Sequence, residues 1–132
     1  MTAIKQIRLS QKSKERLSRL KGKTGIMNWN ILCRWAFCYS ISIDSVPPDE
    51  KVLEYSNVEM SFYTFGGEFS TLYEALLENW IREHGIEVTN KNMNRYLHLH
   101  IERGIAYLSR TGFIKDITDL LNLGNVTEEG NI

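Results

Sequence analysis

Residues Ile4 to Gly25 read I-K-Q-I-R-L-S-Q-K-S-K-E-R-L-S-R-L-K-G-K-T-G, and this stretch decides the fold. In Lys5 to Leu9, Ile7 and Leu9 fall on one side and Gln6 and Arg8 on the other. That period of two predicts a short strand. Ser10 stands where an N-cap belongs, because its hydroxyl accepts a backbone N–H of the following turn. Gln11 to Lys21 has the composition of an exposed helix whose apolar content is the i, i+3 pair Leu17 and Leu20. Gly22 and Gly25, on either side of Lys23 and Thr24, are expected to end it.

Working outward, Asn28 is the expected cap of a second helix, Trp29 to about Ser42, that is apolar nearly all round. A helix without a polar face must be buried. One face is expected on the body of the protein and another on a second copy, through Trp29, Leu32, Trp35, Phe37 and Tyr39, with Gly22 and Gly25 admitting close backbone approach. Val46-Pro47-Pro48-Asp49 breaks the chain. Lys51 to Tyr55 suits a helical turn, whereas Val58 to Phe65, followed by Gly66-Gly67, suits a strand running into a turn.

Thr71 with Glu74 forms a capping-box pattern, followed by Leu72, Ala75, Leu76, Asn79 and Trp80 at helical spacing, with Gly85 closing the helix. Thr89 opens a helix reaching Arg110, with Tyr96, Leu97, Leu99, Ile101, Ile105 and Leu108 as its apolar content and Gly112 at its end. A last helix, Lys115 to Leu123, stops at Gly124. The expected fold is mainly α, a short N-terminal strand followed by a helical bundle. Residues 1–132 form one domain: a basic part (1–45), a mostly helical acidic body (46–124) and a frayed tail (125–132).

Charge carries the strongest functional signal. The net charge of zero hides nine basic side chains against one acid in residues 1–34, a net +8. The remainder holds seven basic and fifteen acidic residues, a net −8. Such asymmetry points to a polyanion-binding end on an acidic body. The candidate DNA contacts are Lys5, Arg8, Lys12, Lys14, Arg16, Arg19, Lys21 and Lys23. The strand–helix–helix order is that of a ribbon-helix-helix module, in which strands from two copies pair and present Gln6 and Arg8 to the major groove. The N-terminus of the second helix, near Met27 to Trp29, offers backbone N–H groups to a phosphate.

Catalytic patterns do not emerge. His98 and His100 are two apart on one helix and face opposite sides, which rules out a two-ligand helical site, and His84 closes a helix. All three read as surface or capping residues. Cys33 and Cys38 sit among apolar neighbours and read as small core residues. An intrahelical disulfide does not fit their spacing, so the expected setting is a reduced cytoplasm. Glu74, Glu78, Glu83 and Glu87 decorate helix surfaces, and no phosphate-loop, nucleophile-elbow or zinc-helix motif occurs. The chain reads as a non-enzyme without metal or cofactor, and without a segment long enough to span a membrane.

The whole chain carries a more specific resemblance. The opening stretch, N-W-N-I-L-C-R-W-A-F-C-Y-S-I and Y-T-F-G-G-E-F resemble the DndE family, small subunits of bacterial DNA phosphorothioation systems, which replace a nonbridging backbone oxygen by sulfur. The resemblance implies a DNA-associated accessory role on duplex DNA, including nicked duplex, beside sulfur-transfer and ATPase subunits. It carries the DNA-contact role onto Arg8, Lys12, Lys14, Arg16, Arg19, Lys21 and Lys23, and a homo-oligomer (dimer or tetramer) is expected. The alternatives are a ribbon-helix-helix repressor and a protein-only scaffolding adaptor. Arg8 is the single charge on the outward strand face, which favours backbone contact over base reading.

Overall fold

The computed structural model describes Ile4 and residues 6–125. Lys5 and nearly all of the tail expected to fray lie outside them. β1 (Gln6–Ser10) buries Ile7 and Leu9 and exposes Gln6 and Arg8, as its period of two requires. Its partner is β2 (Tyr55–Ser61) of the same chain, antiparallel, with Gln6 opposite Ser61, Ile7 opposite Met60 and Arg8 opposite Glu59. The ribbon expected between two copies is therefore built within one. The reason is that β2 alternates too, turning Ser56, Val58 and Met60 inward onto the core that Ile7 and Leu9 cover. Ladder pairing slips between Arg8 and Ser10. There Ser56 Oγ donates to the Leu9 carbonyl (2.9 Å) and accepts from Val58 N–H (3.0 Å), standing in for the lost backbone bonds.

β2 stops earlier than its composition suggests, and Lys51 to Glu54 forms no helical turn. The Ser61 hydroxyl accepts from Thr64 N–H and starts a short helix, α3 (Phe62–Gly66), so the Y-T-F-G segment is helical. A 3-10 turn, Gly67–Phe69, then runs straight into α4 (Ser70–Glu83). The capping box expected at Thr71 does not form, because the preceding turn already carries the chain into the helix. The buried face of α4 is also displaced. Leu77, Trp80 and Ile81 face inward with half-buried Tyr73, whose ring meets Phe37 and Phe65, while Leu72 and Leu76 are exposed.

α1 (Gln11–Thr24) is capped by the Ser10 hydroxyl, which accepts from Ser13 N–H at 3.1 Å. Leu17 and Leu20 are buried, as their spacing predicts. Gly22 lies inside the helix, and Gly25 alone ends it, at φ 78° with its N–H on the Lys21 carbonyl. α2 (Trp29–Ser42) keeps its expected bounds. Leu32 and Phe37, assigned to an interface between copies, are 1% and 0% exposed within this chain's own core. α2's apolar surface is consumed mainly by α5 (Asn90–Leu108) and by α3, so much less of it remains for a second copy. Thr89 caps α5 through Asn92 N–H, and Asp116 caps α6 (Ile117–Asn122) through Asp119 N–H.

The α2–α5 crossing is the tightest contact of the fold. A Cβ on Gly104 would lie 1.9 Å from the Ala36 carbonyl oxygen and 2.7 Å from its Cα. The two backbones touch with no side chain between them. Next to this crossing lies a buried polar network that corrects the surface reading of His100, whereas His84 caps α4 as expected. His100 is fully buried, with Nδ1 2.8 Å from Ser40 Oγ. Arg103 donates through Nε to Ser40 Oγ (2.8 Å), so one hydroxyl links the guanidinium to the imidazole. Burial first, then the Arg103 charge, pull the His100 pKa from 6.5 down to about 3.

Gly104→Ala is expected to cost about 3 kcal/mol or more by overpacking. Urea denaturation checks this, and an unchanged midpoint would show that α2 and α5 can separate at little cost. The His100 shift gives a second expectation. The unfolded chain takes up a proton below pH 6.5 that the folded chain refuses until about pH 3. Stability is therefore complete above pH 6.5 and falls by up to roughly 1.4 kcal/mol per pH unit as pH drops through that window. Chemical denaturation of the parent and His100→Gln at pH 7 and pH 4.5 should show a smaller loss in the variant.

Candidate nucleic-acid interface

The basic residues of the N-terminal part do not form one surface. At about 100° per residue, Lys12, Arg16, Arg19 and Lys23 fall within a sector of about 60° on α1, at i, i+4, i+7 and i+11. Lys14 and Lys21 occupy the opposite flank, with Ser18 and Gly22 on the ridge between. The buried pair Leu17 and Leu20, with Ser13 and Thr24, sets this division, because the helix must turn that face to the core. Lys12, Arg19 and Lys23 are exposed and Arg16 is half-buried. Among the described residues none of the α1 cations forms an ion pair; Arg82 pairs with Glu78 and Arg95 with Asp49.

The second flank is tied to the chain itself. Lys14 Nζ donates to Asn57 Oδ1 at 2.7 Å, and Lys21 Nζ sits 3.2 Å from the centroid of the Trp29 ring. Lys14 and Trp29 border a shallow cleft of about 520 Å³ between α1, β2 and the start of α2, lined also by Asn28, Asn30 and Glu59. Asn28 occupies the N-cap of α2 without a side-chain bond to it. Arg8 is exposed, but its Nε donates to the Ser56 carbonyl at 2.9 Å and its guanidinium lies 5.7 Å from the Tyr55 ring centroid. It lies along its own ribbon.

Three features that hold this region in place escaped the sequence reading. The Glu102 carboxylate of α5 accepts from Ser10 Oγ (2.7 Å), Ser13 Oγ (2.6 Å) and Ser10 N–H (2.9 Å), pinning the β1–α1 corner to the body. Arg34 of α2 donates from Nε to the Phe65 carbonyl and from Nη2 to the Thr64 carbonyl (3.4 Å), fixing α3 over α2. Arg103 donates to Ser40 Oγ, the Ser40 carbonyl and Ser45 Oγ. Each joins residues thirty or more positions apart, so no local pattern announces it.

Of the residues assigned to contacts between copies, Gly22 and Gly25 are exposed, and Trp29, Trp35 and Tyr39 are half-buried. Tyr39 packs against Tyr107 and Phe113 and accepts from Arg110 at 3.2 Å. The cysteines are unsuited to nucleophilic work. Burial pushes the Cys33 thiol up to about 12 and raises the Cys38 thiol as well, which disfavours the thiolate. Cys38 is exposed, not part of the core as its apolar neighbours suggested. No helix among the described residues is long and apolar enough to cross a membrane.

Comparison with known proteins agrees with this architecture. The family profile described as DNA sulphur modification protein DndE matches residues 6–116. A crystal structure of DndE from Escherichia coli B7A, described as involved in DNA phosphorothioation modification, superposes with a TM-score of 0.65 at 25% identity, covering 82% of this chain and 99% of that one. A DndE with glycine-to-lysine replacements at two sites superposes with a TM-score of 0.60 at 21% identity, covering 79% and 97%. No curated protein sequence matches significantly. With the family profile spanning the ribbon and five of the six helices completely, this chain belongs to the DndE family of DNA sulphur modification proteins.

Proposed function

We propose that this protein is a non-catalytic, DNA-binding accessory subunit of the phosphorothioation machinery that grips the duplex backbone with Lys12, Arg16, Arg19 and Lys23. The observation that carries the reading is this four-cation row, aligned on one flank of α1 and without carboxylate partners among the described residues. Over the roughly 16 Å of helix axis it covers, one DNA strand presents several phosphates. Contacts of this kind position a protein on DNA without reading sequence. Arg8, Lys14 and Lys21 already have partners within the chain and contribute less. Sulfur replaces an oxygen on the backbone itself, so a subunit that holds the backbone beside sulfur-transfer and ATPase subunits fits the chemistry, and a nick eases access to the phosphate. The repressor alternative loses its physical basis, because β1 is already paired with β2 of the same chain.

Self-association belongs to the same reading. Gly22 sits inside an exposed helix with nothing within 4 Å of where its Cβ would be, although glycine there costs about 1 kcal/mol relative to alanine. The absent side chain gains nothing in the isolated chain and would admit the backbone of a second copy. The glycines replaced by lysine in the solved DndE variant are three residues apart, the spacing of Gly22 and Gly25. Gly22, Gly25, Trp29, Trp35 and Tyr39 are the proposed contact in a dimer or tetramer.

Duplex affinity should fall steeply with salt, and replacing the four-cation row by alanine should flatten the log–log slope by about 3.6, at roughly 0.9 per phosphate. Lys14→Ala/Lys21→Ala should leave the slope close to that of the parent. Intact, nicked and single-stranded DNA of one sequence, measured at two salt concentrations, provide the comparison; an unaltered slope in the quadruple variant would refute the row. In sedimentation at micromolar concentration the parent should be oligomeric and Gly22→Lys, whose side chain meets open space, should shift to monomer. A monomeric parent would overturn the self-association.

A further inference from the structure

Arg103 is a buried charge without an ionic partner among the described residues. It is 6% exposed, and its three hydrogen bonds go to two serine hydroxyls and a backbone carbonyl, all neutral acceptors. Among the described residues no carboxylate lies within ion-pair distance, and donors of the guanidinium remain after these bonds. A buried charge without an opposite charge is costly. Burial lowers the Arg103 pKa, and the group that opposes this is the Tyr107 phenol, not an acid.

Arg103 lines a groove of about 480 Å³ enclosed by α1, α5 and the segment 48–54. That volume lies within the range of small-molecule sites. Lys12 and Arg16 line it from α1, and Val52, Leu99 and Ala106 give it apolar walls. Four acids also line it. Glu102 is fully engaged by Ser10 and Ser13, while Glu15, Glu50 and Glu54 are exposed to solvent. Arg103 is the charge there with neither solvent nor an ionic partner.

We propose that this groove binds a phosphate monoester of nucleotide size, its phosphate drawn to Arg103, Lys12 and Arg16 and its organic part resting against Leu99 and Ala106. Three cations from two helices suit a dianion better than a monocarboxylate, and the planar guanidinium matches phosphate oxygens. The site stands apart from the duplex reading: it shares Lys12 and Arg16 with the proposed DNA row but depends on Arg103 and Ala106, which lie off it.

Calorimetric titration of the full chain with deoxyadenosine 5′-monophosphate, deoxyadenosine and inorganic phosphate tests the site. The monophosphate should bind, the nucleoside should not, and inorganic phosphate should bind about tenfold more weakly. Ala106→Phe, which fills the groove, should weaken monophosphate binding at least about tenfold while leaving the salt dependence of duplex binding unaltered. Lys12→Ala/Arg16→Ala, confined to α1, should weaken it as well and decides the matter if the first variant does not fold. Equal responses to nucleotide and nucleoside, or parental nucleotide affinity in the folded variants, would overturn the site and leave Arg103 as a cap on the α2 C-terminus. Loss of duplex binding by the parent with nucleotide binding intact would instead refute the DNA row alone.

Discussion

The approach of α2 to α5 at Ala36 and Gly104 is the constraint on which the other placements depend. With the Ala36 carbonyl occupying the space a Gly104 Cβ would need, the two helices meet backbone to backbone. Packing of this kind leaves little freedom in crossing angle or register, because any larger residue at the contact would force the pair apart. Everything that α5 holds is thereby fixed relative to α2. Ser40 meets His100 and Arg103 because the crossing brings their turns together.

From that pair, a polar brace carries the N-terminal part. Glu102 follows Ile101 of the core and turns outward to Ser10 and Ser13, so the corner between β1 and α1 is held by a charged acceptor on a buried helix. The same serine that caps α1 thus also docks it. Two flanks of α1 acquire different surroundings as a result. One faces β2 and the start of α2, where Lys14 and Lys21 find an amide and an indole. The other faces solvent and the mouth of the groove, where Lys12, Arg16, Arg19 and Lys23 have no ion-pair partner among the described residues. Division of labour among the cations follows from how the helix is docked, not from the number of lysines.

The acidic body gives the basic helix its isolation. Of its carboxylates, Glu102 is engaged by the serine brace, Glu78 pairs with Arg82 and Asp49 with Arg95, and among the described residues none pairs with a cation of α1. A polyanion meeting α1 therefore does not have to displace an internal acid from the row. The DndE fold described for the Escherichia coli chain is the same scaffold at 25% identity, which is what a backbone-to-backbone crossing and a capped ribbon, rather than a particular set of surface residues, would preserve.

The sequence by itself determined the local elements. Alternation at Ile7 and Leu9, the caps Ser10 and Thr89, and the apolar run from Trp29 are properties of residues a few positions apart, and each acts through its own turn or strand. It also determined the charge asymmetry and, through the resemblance of the opening stretch, the family. Tertiary structure decided what those elements face. β1 found its partner in β2, whose alternation was masked by the aromatic residues following Ser61, and α4 turned Leu77 rather than Leu72 inward once Tyr73 met Phe37 and Phe65. His100 read as a surface or capping residue because burial depends on which helix crosses above it. Likewise, the six basic residues of α1 do not reveal which flank each occupies until Leu17 and Leu20 have chosen the core. Contacts such as Ser10 to Glu102 join residues 92 positions apart, and no periodicity within a helix encodes a partner at that distance.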